Sequence, residues 1–243
     1  MNNENRGYSI RLNRIRDDLI SGKVSSDILI NYFIDEVDNQ YVKYFKMNIN
    51  AQVIYKENEK QYDVKYIWTV DGQNPSNEKE LSELSFVISG DSIVKKNEEL
   101  GMRAEIKRAN GEWKEVNTYI NGADKIKYLH INLKEHPILP SQLFSIRFSY
   151  VWPKSYFAEG KDVFAFGNNT FSSTDPYDLY ITVHGNNKCF TSATQQIRAM
   201  INNNDVQQQF SELVIIERGE ENYVTTSLPK SENNRAIYIS LIQ

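Results

Sequence analysis

Two side chains that could catalyse a reaction lie close together in the segment 180–192, YITVHGNNKCFTS. His184 could act as a base and Cys189, the only cysteine of the chain, as a nucleophile. Such a pair needs hydrogen-bond contact and a third residue that orients the histidine. The sequence does not fix that residue, although Asp175 and Asp178 are near. The pattern therefore leaves open a Cys/His-dependent hydrolase or transferase, beside an ordinary strand end with a Gly-Asn-Asn turn.

Metal and cofactor motifs are missing from the sequence. The histidines are His130, His136 and His184, and no two of them stand four residues apart on a predicted helix. A single cysteine provides no Cys pair, so the sequence predicts no metal site. Neither a Gly-x-Gly-x-x-Gly loop nor a Gly-Lys-Ser/Thr loop is present, so it predicts no cofactor either.

Aromatic and amide side chains are concentrated in 147–157 (RFSYVWPKSYF) and 164–175 (FAFGNNTFSSTD). Aromatic rings can stack on planar ligands, and loops carry a large share of binding residues. Packing of these rings in the end of a β core is the alternative. We predict a ligand rim formed by the loops 153–175 and 185–192. Its predicted contact residues are Lys154, Tyr156, Phe157, Phe164, Phe166, Asn168, Asn169 and Phe171.

Composition narrows the class of protein. The formal net charge is -4 and Lys and Arg are mixed with acidic residues, which argues against nucleic-acid binding. One cysteine allows no internal disulfide. The sequence shows no secretory signal and no apolar run long enough to span a membrane, so we expect a cytoplasmic protein. Its richness in Asn, Ile and Lys suggests a bacterial source.

Residues 1–40 are predicted to form an N-terminal helical element. Between residues 8 and 38, apolar residues recur at helical spacing in two runs, separated by Gly22 and a serine N-cap at Ser25 or Ser26. We predict a helical hairpin here. Its apolar stripe would pack on the main domain, or dock on a protein partner or a second copy of the chain.

Residues 41–243 are predicted to form a β-rich body, with a candidate subdivision near 153–162. Alternating apolar residues from Phe45 to Tyr55 and from Tyr62 to Val70 predict a β-hairpin with one buried face. Further alternating runs predict about ten strands in all, and the short connections favour antiparallel pairing.

The segment 192–213 contains Ile197, Met200 and Ile201 at helical spacing and predicts one late helix. The predicted fold is therefore mainly β (α+β): an antiparallel β-sandwich or open barrel, with an N-terminal helical hairpin and one C-terminal helix.

The function that these features favour is that of a non-enzymatic binding or interaction protein. Loops and helices would supply the contact surfaces on a β scaffold. A sensor of a small planar or nucleotide-like ligand, in a bacterial stress or defence pathway, is one alternative. The Cys/His-dependent enzyme is the other.

Overall fold

A computed structural model of the chain describes residues 42–57, 61–108, 111–122, 125–156, 161–167, 177–186, 189–201, 204–231 and 235–242. The helical hairpin predicted at 8–38 lies outside these residues.

The described residues form strands and a single 3-10 turn at Asn97–Leu100, without an α-helix. The strands of the first half are β1 (Lys43–Lys56), β2 (Gln61–Gln73), β3 (Glu83–Ser89), β4 (Arg103–Arg108), β5 (Lys114–Asn121), β6 (Ile126–Asn132) and β7 (Leu143–Tyr156). Those of the second half are β8 (Lys161–Gly167), β9 (Tyr177–Asn186), β10 (Ser192–Ile201), β11 (Asn204–Glu212), β12 (Ile215–Arg218), β13 (Glu221–Ser231) and β14 (Arg235–Ile242).

Two sheets make up the fold. The larger has ten strands in the order β12-β13-β9-β1-β2-β7-β4-β5-β6-β3, and the smaller has four in the order β11-β10-β14-β8. The larger sheet is mixed, because β1 and β9 run parallel, with Lys46 opposite Asp178 and Val53 opposite Gly185. The prediction of a purely antiparallel fold is therefore wrong. Short connections favour antiparallel neighbours, and they say nothing about a pairing between strands so distant in sequence.

The first predicted hairpin is confirmed. Strands β1 and β2 pair antiparallel, and alternate β1 residues from Met47 to Val53 are buried. Phe45, which the alternation placed inside, is exposed, and Tyr44 is buried in its stead. The register shifts between Tyr44 and Lys46, and an extra residue at such a bulge moves the side chains before it to the other face.

The predicted late helix is wrong, because its residues form the antiparallel hairpin of β10 and β11. Strand β10 also pairs with β14, so both of its edges are occupied. Gln195 lies opposite the buried Ile239 and bonds to Ser211 Oγ at 2.8 Å and to the Thr226 hydroxyl of the larger sheet. A glutamine facing inward hides the alternation of a strand, and sheet pairing overrides weak helical spacing.

The larger sheet folds back on itself. Strand β3 is last in the strand order, yet its Phe86 ring lies 4.8 Å from that of Phe148 in β7 and 6.3 Å from that of Tyr44 in β1. Twist accumulates across many strands, so a sheet of this width curls and encloses its own apolar face. One hydrophobic core results, and it includes residues of both sheets.

Candidate functional site

Strand β9 places His184 on the outer, polar face of the larger sheet. Neighbouring residues of a strand point to opposite faces, so Ile181, Val183 and Gly185 face the core. His184 Nδ1 lies 3.3 Å from Glu221 Oε2, and its Nε2 lies 3.0 Å from Asn50 Oδ1. Since both ring nitrogens have protein partners, the imidazole cross-links three strands, β1, β9 and β13.

Tyr223 of β13 completes this outer cluster. Its ring stacks on His184 with centroids 4.8 Å apart and planes 2° apart, and the Arg218 guanidinium lies over the same ring at 5.3 Å. The Tyr223 hydroxyl donates to Glu221 Oε2, which lowers the pKa of the Glu221 carboxyl, and His184 lowers that pKa further. The same hydrogen bond raises the pKa of Tyr223. Charge and hydrogen bonding are thus satisfied within the cluster.

Cys189 lies on the opposite face of the sheet from His184. Its side chain is 1% exposed, and a methyl group placed on Gly185 would come within 3.2 Å of its Sγ. Burial raises the pKa of the thiol to about 11, so the nucleophilic thiolate is scarce at neutral pH. The structure does not bring His184 and Cys189 together, and His184 is not placed to accept the thiol proton.

The structure does bring together three residues of the predicted ligand rim, but as buried packing. The rings of Tyr156, Phe164 and Phe166 stack in series, with centroids 6.1 Å and 6.2 Å apart. The Tyr156 hydroxyl donates to the carbonyl oxygen of Cys189 at 2.6 Å, and burial raises its pKa. These three side chains join β7, β8 and the segment after β9, inside the core.

Lys154, another predicted contact residue, lies at an irregularity of β7. The register shifts here, because Tyr62 pairs with Tyr156 and Val64 pairs with Trp152. Lys154 has φ 50 and its N–H donates to Asp63 Oδ1 at 3.0 Å, which helps to hold the left-handed backbone. Its side chain is exposed. The remaining predicted contact residues, Phe157, Asn168, Asn169 and Phe171, lie outside the described residues.

A pocket of about 310 Å³ opens beside strand β12, on the opposite face from His184. Strand β12 is the first in the order of the larger sheet, so one of its sides has no neighbouring strand in the described part of the chain. Asn222 at the pocket donates its Nδ2 to the carbonyl oxygen of Phe190 at 2.8 Å, which anchors β13 to the segment after β9. The residues that line this β12 pocket are Thr191, Ile215, Glu217, Gly219 and Asn222.

Exposed apolar side chains lie in and next to β12. Val214 is 79% exposed and Ile216 41%, and none of the four residues of β12 is buried. No site was predicted in this segment from the sequence. The sequence feature that could have indicated the site is the unbroken apolar run from Leu213 to Ile216, because a strand with one buried face would alternate between apolar and polar residues instead.

The described residues hold no group of three or more His, Cys, Asp or Glu side chains placed to bind a metal ion. Among the same residues, no helix has the length and hydrophobicity needed to cross a membrane.

No protein-family model matches the chain, and no curated protein matches its sequence. Some solved structures resemble the chain weakly. One is an M1 zinc metallopeptidase from Deinococcus radiodurans, with a TM-score of 0.46 and 11% identity, over 82% of this chain and 42% of that protein. Another is a candidate nutrient binding protein from Legionella pneumophila, with a TM-score of 0.49 and 10% identity, over 84% of this chain and 68% of that protein. The chain thus spans less than half of the metallopeptidase, and likenesses this weak identify no function.

Proposed function

We propose that the chain is a non-enzymatic interaction module that binds an extended segment of another protein along the open side of β12. The observation that carries the proposal is the edge itself. A short strand with no buried residue ends the larger sheet, next to a pocket and to exposed apolar side chains.

An edge strand presents backbone N–H and C=O groups on its outer side, and an extended peptide can pair with them as an additional strand. The backbone bonds supply affinity, and pockets for alternate side chains supply specificity. The β12 pocket lies where alternate side chains of such a peptide would point, since Ile215 and Glu217 of β12 both line it.

The surroundings of Cys189 and His184 support a binding role rather than catalysis. Cys189 is buried in the core with a raised pKa, and His184 is held on the other face by Glu221 and Asn50. The outer cluster fixes β13 against β9, so the hairpin that carries β12 is anchored before any partner arrives. Binding to a pre-organised edge loses less conformational entropy.

A small polar ligand in the β12 pocket is the second candidate function. The pocket volume of about 310 Å³ lies at the lower end of the range of small-molecule sites, and its lining offers a hydroxyl, an amide and a carboxylate.

The test is selection of binders from a phage-displayed library of random dodecapeptides on the immobilised full chain. For the selected peptides, we expect amide chemical-shift changes concentrated at Ile215–Arg218 in NMR spectra of the labelled protein. Failure to select any peptide, or shifts confined to other strands, would overturn the proposal. Stabilisation in a thermal-shift screen of nucleotides and metabolites, without any peptide binder, would favour the small-molecule function instead.

Proline variants sharpen this test. Successive amides of a strand point to opposite sides, so one of the two N–H groups of Ile215 and Ile216 faces away from β13. The proline variant that removes this outward N–H should keep a melting temperature near the wild-type value and lose peptide binding. Retention of full affinity by both folded variants would contradict pairing along the edge.

A further inference from the structure

Glu217 gives the β12 pocket a negative charge that no side chain of the described residues neutralises. Among the described residues, no hydrogen bond or ion pair involves its carboxylate, although it lines the pocket. Arg218, the next residue, points to the other face and lies over the Tyr223 ring at 5.3 Å. Alternation along the strand therefore separates the arginine from the carboxylate.

The surrounding sequence is acidic as well. Residues 211–222, SELVIIERGEEN, contain four glutamates and one arginine, of which Glu221 and Arg218 lie on the outer face. Like charges around a concave site create an electrostatic field that attracts ligands of opposite charge and raises the local concentration of those ligands. The partner that complements this edge is therefore basic.

The other lining groups suit a long cationic side chain. The Thr191 hydroxyl donates to the carbonyl oxygen of Ile242 at 3.4 Å, so its oxygen remains an acceptor on the pocket side. Ile215 offers an apolar wall for a methylene stem. Lysine and arginine bury such a stem against apolar surface while the charged head meets acceptors.

We propose that the segment added to β12 carries a lysine or arginine whose head enters the β12 pocket and pairs with Glu217. An apolar residue two positions away packs on Ile215, because the side chains of an added strand repeat every two residues. The recognised pattern is apolar-x-basic, read in either chain direction. This inference rests on the proposed function and defines its partner class.

The test compares affinities for a phage-selected dodecapeptide by fluorescence anisotropy, with the full chain. Glu217→Gln should weaken binding about tenfold, in line with a hydrogen-bonded charge pair. Glu220→Gln is the matched control: it removes the same charge from the adjacent turn but does not line the pocket, and we expect a change below about twofold.

Reversal of the charge at position 217 distinguishes a specific ion pair with Glu217 from general electrostatic attraction. Glu217→Lys should abolish binding of the basic peptide and restore binding of a peptide in which glutamate replaces the basic residue. Equal losses in Glu217→Gln and Glu220→Gln, or selected peptides without a shared basic position, would overturn the inference.

The proposed function can fail independently. If the edge-facing proline variant loses binding while Glu217→Gln keeps full affinity, β12 still accepts a strand and the basic specificity is wrong. If the proline variants keep full affinity, the edge proposal itself is wrong.

Discussion

The larger sheet carries a histidine stacked on a tyrosine near each of its ends, and the two clusters hold their edge strands differently. Near β3, the rings of His130 and Tyr119 lie 4.4 Å apart with planes 3° apart. His130 Nδ1 lies 2.9 Å from Glu83 Oε1, and the Tyr119 hydroxyl donates to Glu83 Oε2 at 2.8 Å. Near β12, His184, Tyr223 and Glu221 repeat the same combination of contacts.

The source of the glutamate is what differs. Glu83 belongs to the edge strand β3 itself, so its cluster fastens that edge to β5 and β6. Glu221 belongs to β13, one strand inside the edge, so its cluster contacts β12 through the Arg218 side chain over the Tyr223 ring. Strand β3 also buries every second residue, whereas β12 buries none. Both edge strands end the strand order, but the cluster near β3 holds its edge strand through a carboxylate, whereas the cluster near β12 contacts its edge strand through Arg218.

The largest contrast between the two ends should appear when an apolar side chain of each edge strand is removed. Phe86 of β3 is buried against Phe148, so Phe86→Ala should lower the free energy of unfolding by about 3–5 kcal/mol. Ile215→Ala in the partly buried β12 should cost about 1 kcal/mol or less. Urea denaturation measures both. Similar costs would refute the distinction between a buried and an exposed edge strand.

Added methyl groups should reveal the same contrast with a smaller effect. A methyl group on Gly90, just after β3, would lie 2.4 Å from ring atoms of Trp152, so Gly90→Ala should cost about 1–3 kcal/mol. On Gly185 in β9 the nearest atom is Val53 Cβ at 3.0 Å, and the cost should be lower. Thermal melting of the two variants ranks them. A lower melting temperature for Gly185→Ala than for Gly90→Ala would reverse the expected order.

Acid should loosen both clusters through their glutamates. The hydrogen bond with His130 lowers the pKa of Glu83 below its ordinary value of 4.5, and the bond from Tyr223 does so for Glu221. A lowered folded-state pKa stabilises the fold above the unfolded value, and this stability is lost as pH falls through the folded-state pKa.

Glu83→Gln should therefore flatten the decline of unfolding free energy below about pH 4.5. Glu221→Gln should flatten it less, because its contact with His184 is 3.3 Å rather than the 2.9 Å of Glu83 with His130. Denaturation at a series of pH values provides the comparison. An unchanged pH profile in Glu83→Gln would remove the role assigned to that carboxylate.

Loss of a single tyrosine hydroxyl should give the smallest effect. Tyr119→Phe keeps the stack on His130 but removes the donor to Glu83, and should cost about 1 kcal/mol or less. Tyr223→Phe should also destabilise the fold slightly, since its hydroxyl donates to Glu221. Tyr180→Phe is the control, because no hydrogen bond of that hydroxyl occurs among the described residues. A loss in the control equal to that in Tyr119→Phe would show that these hydrogen bonds contribute nothing.

Local pattern predicted much of the β architecture. The β1–β2 hairpin followed from the alternation of apolar residues from Phe45 to Tyr55 and from Tyr62 to Val70. The bulge at Tyr44 was not predicted, because one extra residue moves side chains to the other face of the sheet without changing the composition of the strand. The late helix was wrong because Gln195 occupies an inward position and because β14 supplies a partner strand that only the tertiary fold reveals.

The candidate site was harder to predict than the strands. His184 and Cys189 are close in sequence, but the alternation at Gly185 sends them to opposite faces, and that depends on where β9 ends. The sequence pattern around the aromatic residues Tyr156 and Phe164 fits a binding surface and a hydrophobic core equally well. Strand β12 became a site only through its position at the end of the strand order, which no local pattern contains.

The parallel pairing of β1 with β9 also dictates an order of assembly. On the ribosome, β1 and β2 can join as a hairpin as soon as they emerge, but the other side of β1 must wait until β9 has been synthesised. Closing so long a loop is slow compared with forming a hairpin. The nascent chain therefore carries an uncovered edge at β1, and β13 and β12 join the sheet only after β9 has covered it.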